Sequence, residues 1–270
     1  MADTGLEIFN GFEIKYPEYE VITPQTVEKF TVRCLRADEE EKLKGSLLTP
    51  ASFISHLNKC IYEILVKKPK HIKNFEDFKN SVTILDRDAL LYGLTHISYP
   101  EDQIFETECT NCSFAISMKV DLAKTFNISP YPKGNSEILK NEINVELDHA
   151  KNVTAIVKQP VLNDEERITS DPLYNSDENK SLGLECLIVK EFKMYDASSD
   201  KTTIIKDRDN IFKGYKSLTS HDKKKILDTY NENFGKYRMT LNVKVNCPRC
   251  KEVNEGEINL VQNLFRVLYR

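Results

Sequence analysis

Apolar residues recur along this chain with two periods, and the alternation between them marks its elements. From Thr49, the run TPASFISHLNKCIYEILVKK places Phe53, Ile54, Leu57, Ile61, Ile64 and Leu65 on one helical face. Thr49 suits the N-cap of that helix and Pro50 its first position. FEDFKNSVTI reads as a short helix. LDRDALLYGLTHISYP reads as a longer one, with Asp86 as cap, Leu90, Leu91, Leu94 and Ile97 as its buried stripe, and Pro100 as its stop. TSHDKKKILDTYNENFGK predicts another helix, capped by Thr219 or Ser220, with Gly235 near its end. Two-residue alternation predicts strands at FTVRCL (30–35), NEINVELD and NVTAIVK. LGLECLIVKEFKMYD is apolar enough for either a helix or a strand. Residues 1–28 mix Gly5, Gly11, Pro17 and Pro24 with aromatic and β-branched residues. They read as an extended arm, with a strand at FEIKY, that packs on its own domain or on a neighbour.

The order of these elements repeats. FTVRCLRADEEEK runs from a strand through a bend into an acidic helix start, and NVTAIVKQPVLNDEER does the same. Asp164, Glu165 and Glu166 stand where Asp38, Glu39 and Glu40 stood. Each pass ends in a hairpin followed by a similar step, MKVDLAKTF and GEINLVQNLF, and the connector SPYPKGNSE separates them. The reading is an α+β fold of two related halves: an arm at 1–28, a first half at 29–128 and a second at 138–270.

At the tips of the two hairpins lie Cys109-x-x-Cys112 and Cys247-x-x-Cys250; the other cysteines, Cys34, Cys60 and Cys186, are isolated. A C-x-x-C between short strands aims two thiolates at one metal, and a closed tetrahedral site needs four. Cys109, Cys112, Cys247 and Cys250 are therefore the expected ligands of one structural zinc. Pseudo-twofold pairing of the halves would bring the distant knuckles together. With four thiolates no coordination position stays vacant, so an enzyme using zinc-bound water is not expected. Redox catalysis is also disfavoured, because that motif opens a helix and strands flank these.

Bulk composition narrows the rest. With 270 residues, 40% hydrophobic and 30% charged, the chain has ample material for a core. A net charge of -4 argues against a general nucleic-acid binder. Seven cysteines, an odd number, suit a reducing compartment and metal binding better than a disulfide framework. No apolar run approaches the roughly 20 residues of a membrane span, and the N-terminus lacks a secretory pattern. No G-x-S-x-G, Walker loop, G-x-G-x-x-G or H-E-x-x-H occurs. The five histidines are scattered: His96 falls inside a helix, while His56, His71, His149 and His221 read as exposed. The acidic runs 38–41 and 164–166 fit helix N-termini complementing their dipoles better than paired metal-binding carboxylates. The basic clusters KKPKHIK and HDKKK read as solvated helix ends. Nothing points to catalysis or to a small-molecule substrate.

FTVRCLRADEEEKL, DRDALLYGLTHISYP, ETECTNCSFAISMKVDL and VNCPRCKEVNEGEINLVQNLF together resemble the baseplate hub subunit family of contractile-tailed, T-even-like bacteriophages. The resemblance spans roughly residues 28–124 and 150–268. It implies a non-catalytic structural or assembly protein of the tail baseplate hub, with other hub or tail proteins as partners. The location it implies is the virion, or the host cytoplasm during assembly. The polar stretch 169–183 makes the second half longer than the family pattern. The alternative is a zinc-ribbon module that binds nucleic acid through its lysine clusters.

Overall fold

The computed structural model describes residues 15–45, 50–101, 103–132, 137–176 and 179–258. Helices and antiparallel sheets alternate along the chain in a mixed architecture consistent with α+β. β1 (Glu18–Ile22) and β2 (Lys29–Arg33) form a hairpin, followed by α1 (Ala37–Gly45) and α2 (Pro50–Glu63). β3 (Leu65–Lys67) adds to the free side of β2. α3 (Phe75–Ser81) carries a capping box built on Asn74 and Asp77, and α4 (Ile84–Ser98) crosses behind the sheet. The first core gathers Phe30 and Val32, Phe53, Leu57, Ile61 and Ile64 of the helix expected there, and Leu90, Leu91 and Leu94. Cys60 packs against this core as a small apolar residue.

Three expectations for this region need adjusting. The strand of the N-terminal segment lies at 18–22; Lys15 and Tyr16 of FEIKY precede it, and Phe12 to Ile14 fall outside the described residues. Thr49, the expected cap of α2, also falls outside them. Asp86 does not cap α4. Thr83 does, its hydroxyl accepting from the Asp86 N–H, because Thr83 is the last extended residue and Asp86 already lies in the first turn. The Asp86 carboxylate is turned inward instead, accepting from the N–H of Gln25 (2.8 Å) and from the N–H and hydroxyl of Thr26 (3.2 and 2.8 Å). α4 is buried on nearly all sides, and Gly93 lets it approach β1: a Cβ there would meet Val21 at 2.5 Å.

β4 (Gln103–Glu108) and β5 (Ala115–Val120) form the first cysteine hairpin, and α5 (Leu122–Thr125) leads into β6 (Phe126–Ile128). β7 (Glu142–Glu146) and β8 (Val153–Lys158) precede α6 (Leu162–Ser170), α7 (Pro172–Asn175) and α8 (Lys180–Cys186). The apolar run that could be helix or strand is both: it breaks at Leu187 and continues as β9 (Val189–Asp196). β10 (Lys201–Ile205), α9 (Arg208–Ser217) and α10 (Ser220–Tyr230) follow, the last capped by Thr219. β10 and α9 had no clear signal: β10 is almost wholly exposed, and α9 buries only Ile211, Phe212 and Tyr215. A π-helical turn, Asn231–Gly235, leads into β11 (Met239–Asn246) and β12 (Val253–Glu257), the second cysteine hairpin. The second core packs Phe192, Phe212, Tyr215, Ile226 and Phe234 against a sheet of order β10-β9-β8-β7.

The corner from strand to acidic helix is built alike in both places. At the end of β2, Arg33 donates to Glu39, six residues on, and Glu39 also accepts the Arg36 N–H. At the end of β8, Lys158 donates to Asp164, again six residues on, and Asp164 accepts the Val161 N–H. Asp164 thus matches Glu39, one position along from the Asp38 correspondence that the acidic triplets suggest. Between the cores, an isolated bridge joins Thr83 to Val161, the Leu162 N–H donates to the Val82 carbonyl at 3.0 Å, and β6 pairs with β11.

Candidate metal centre

Each cysteine pair sits on a turn with the same backbone wiring. In the first, the Cys109 N–H donates to the Phe114 carbonyl (2.9 Å) and the Ser113 N–H to the Cys109 carbonyl (2.9 Å). In the second, the Cys247 N–H donates to Glu252 (2.8 Å) and the Lys251 N–H to Cys247 (2.9 Å). Both turns close through a left-handed residue, Ser113 at φ 54° and Lys251 at φ 67°. Glycine would take that conformation without strain, and neither position is glycine, so composition conceals the turn.

The structure brings all four expected cysteines together. Their sulfurs lie within 4.8 Å of one another, forming a group that can hold a metal ion. Cys109 Sγ is 3.5 Å from Cys250 Sγ, and Cys112 Sγ is 3.7 Å from Cys247 Sγ, so each contact joins one hairpin to the other. A tetrahedron with metal–sulfur bonds of about 2.3 Å has sulfur–sulfur edges of about 3.8 Å, whereas a disulfide needs about 2.05 Å. These separations suit ligands of a common ion, and all seven cysteines are free. Cys109 and Cys247 are buried, Cys112 and Cys250 half-buried, and Ile116 and Val245 complete the small apolar cluster around them.

Electrostatics divides the four unequally. Burial pushes the Cys109 thiol up, but the N–H groups of Cys112 and Asn111 and the neighbouring Cys250 and Asn254 side chains outweigh it, holding it at about 6. Cys247 is lowered the same way, against burial, by the N–H groups of Cys250 and Arg249. Cys112 has the Phe114 N–H pulling it down, yet burial and three neighbouring sulfurs push it up to about 12. Four thiols this close cannot all ionise against one another. A cation among them removes the conflict, which is the sense in which this donor set fits a metal.

The residue that sequence reasoning missed is Asn254. Buried on β12, it accepts through Oδ1 from the Thr110 N–H (2.9 Å) and hydroxyl (3.1 Å), and its Nδ2 faces Cys109 Sγ at 3.7 Å. One side chain therefore locks the second hairpin onto the first knuckle and donates to a ligand sulfur. An asparagine in an acidic strand sends no signal by itself.

The other candidate residues lie elsewhere, and among the described residues the four cysteines form the single group suited to a metal. Glu39 answers Arg33 and Arg36, Glu165 answers Arg87, and Glu166 accepts from Asn58 and Lys79. His96 is ringed by Tyr92 and Tyr19 at 5.7 and 5.0 Å. His149 and His221 pack edge-on 4.9 Å apart over buried Asp222, which holds the N–H groups of Asp148, His149 and Ala150. Of the basic clusters, Lys68 lies 4.2 Å over the Tyr62 ring, and Lys224 and Lys225 pair with Asp228 and Asp148. No described helix is long and apolar enough to cross a membrane. Compared with known families, curated proteins and solved structures, the chain shows no match: no family model, no curated protein and no solved structure is similar to it.

Proposed function

We propose that this chain is a non-catalytic structural or assembly protein of a phage tail baseplate hub, with one structural zinc clamping two related halves. The observation that carries the zinc is the meeting of Cys109 and Cys112 with Cys247 and Cys250, from hairpins far apart in sequence, at separations suited to four thiolates on one ion. Zinc is the ion of choice for four thiolates in closed tetrahedral sites. Its free energy of binding, of order 10 kcal/mol in small zinc folds, then stabilises the contact between the halves. The matched corners Arg33–Glu39 and Lys158–Asp164 and the matched knuckle turns support two related halves. The hub assignment is supported by the residue patterns given above. In that role the N-terminal arm and the open strand edges engage neighbouring tail proteins by added strand pairing.

Metal analysis of the purified chain tests the clamp: one zinc per chain, lost with Cys247→Ser, is expected. A metal-free folded protein sinks it. Mass spectrometry of purified phage tails and of tail assembly intermediates tests the hub role. Absence of the chain from both refutes it.

A further inference from the structure

We propose that the outer edge of β10 pairs with the same edge of a second copy of this chain, antiparallel about Thr203, so that two four-stranded sheets become one. This gives a partner to the open strand edges of the assembly reading and rests on it.

The ladder register decides which backbone groups face outward. The Tyr195 N–H donates to the Asn152 carbonyl at 2.8 Å, so Tyr195 bonds toward β8. Antiparallel ladders alternate, so Phe192 and Met194 bond toward β10, where their partners are Ile205 and Thr203. Thr202 and Ile204 therefore turn their N–H and C=O groups away from β9. β10 is the outermost strand of its sheet, no described strand covers it, and Lys201 to Ile204 are exposed. Edges are commonly kept from pairing by charge, proline or a bulge. After Lys201 this one has none of these, only the β-branched Thr202, Thr203, Ile204 and Ile205.

Symmetry and charge select the occupant. Laid antiparallel about Thr203, two copies of β10 set Thr202 of each opposite Ile204 of the other, so both outward-facing residues gain their ladder bonds. Thr203 faces its own counterpart on the axis, and no like charges meet. Asp200 precedes the strand and Lys206 follows it, so each Asp200 is carried toward the other copy's Lys206. The Ile204 side chains, 47% exposed, become diagonal neighbours on the face that carries Tyr195, 45% exposed. Other outer strands lack this fit. Centred on itself, β1 would set Glu20 against Glu20, and β7 would set Glu142 against Glu146. Like charges directly opposed across strands are destabilising, which leaves β10 as the self-complementary edge.

Sedimentation velocity on the full, metal-loaded chain across the micromolar range tests the pairing. A sedimentation coefficient that rises with concentration from monomer to dimer is expected, and a wild type that stays monomeric overturns the proposal. Ile204→Pro removes an outward N–H but no β9–β10 bond, and Ile204→Lys sets two lysines diagonal to each other. Each should halve the mass at concentrations where the wild type is dimeric. A dimer that survives both overturns the proposal by assigning the interface to another face. Cysteine at the axis reads the register, whatever those variants do to folding. Thr203→Cys should join two copies through a disulfide under mild oxidation, because a directly opposed, non-hydrogen-bonded pair has Cα atoms about 4.5 Å apart. Thr202→Cys, whose counterpart lies out of register, should not. Cross-linking no faster in Thr203→Cys than in Thr202→Cys overturns the proposal. Zinc content and detection in tails read the clamp and the hub role, whatever the oligomeric state.

Discussion

Arg87 on α4 and Glu165 on α6 form a two-pronged ion pair in the interior, reaching from the first core to the second. Both guanidinium N–H groups donate to the two carboxylate oxygens, one of them at 3.2 Å, and the residues are 3% and 7% exposed. Burial disfavours the Arg87 charge, but the facing Glu165 more than offsets this and its pKa is raised. Asn58 extends the network, accepting from Arg87 and donating to Glu166. The pair thus fastens the two cores at the α4–α6 seam, beside the Thr83–Val161 bridge and the bond from the Leu162 N–H to the Val82 carbonyl.

Removing one partner of the pair leaves the other charged and buried. Arg87→Met alone should destabilise the protein by about 3–5 kcal/mol, whereas Arg87→Met with Glu165→Leu should cost far less. Denaturant titration of the single and double variants measures this. Equal losses in both would show that the seam depends on packing and not on the pair.

The metal should shield its own ligands. In the loaded protein iodoacetamide should barely modify Cys109, Cys112, Cys247 and Cys250, and chelation should expose all four. Cys60, pushed up to about 12 by burial, and Cys186, pushed up to about 11, should stay slow in both states. Peptide mapping after alkylation gives the count. Acid should act as chelation does: the depressed Cys109 thiol, at about 6, is charged above that pH and takes up a proton below it. Metal affinity is therefore lost as pH falls, and the sulfur-to-metal absorption of the cobalt-loaded protein should fade with it.

Asn254→Ala should leave the four ligands in place and loosen the hold on them. Loss of the Thr110 hydrogen bonds and of the donor to Cys109 should weaken metal binding by roughly 10–100-fold, the usual effect of removing a group that orients a ligand. Competition with a chromogenic chelator reads the change. Affinity equal to wild type would mean the knuckles align without it.

Asp86 sets a pH dependence of its own. Burial pushes it up to about 6, against the pull of the Gln25 and Thr26 N–H groups and the Thr26 and Thr83 side chains. An acid that holds its proton more tightly folded than unfolded adds stability below its ordinary pKa near 4. That contribution is lost as pH rises through about 6. The unfolding free energy of Asp86→Asn minus that of wild type should therefore grow with pH, by up to about 3 kcal/mol between pH ~4 and ~7. A flat difference would contradict it, and any constant cost of the amide cancels.

Local chemistry by itself settled the elements whose pattern is dense. The face of α2 and the buried leucines of α4 follow from their spacing, β2 and β8 from their alternation, and both knuckles from paired cysteines between strands. These signals act over one or two turns, so they survive without knowledge of the rest. The patterns did not reveal β10 and α9, whose exposed faces leave no dense apolar stripe, or the switch from α8 to β9 inside a uniformly apolar run. Asp86 misleads as a cap because its carboxylate answers donors 60 and 61 residues away. The meeting of Cys109 with Cys250 and of Cys112 with Cys247, the Asn254 lock and the Arg87–Glu165 seam were likewise decided in tertiary structure. Contacts across more than 70 residues leave no periodic trace, since nothing local to either partner specifies which residue it will meet. The sequence determined what could bind a metal, and the packing of both hairpins on the first core decided that these four sulfurs lie side by side.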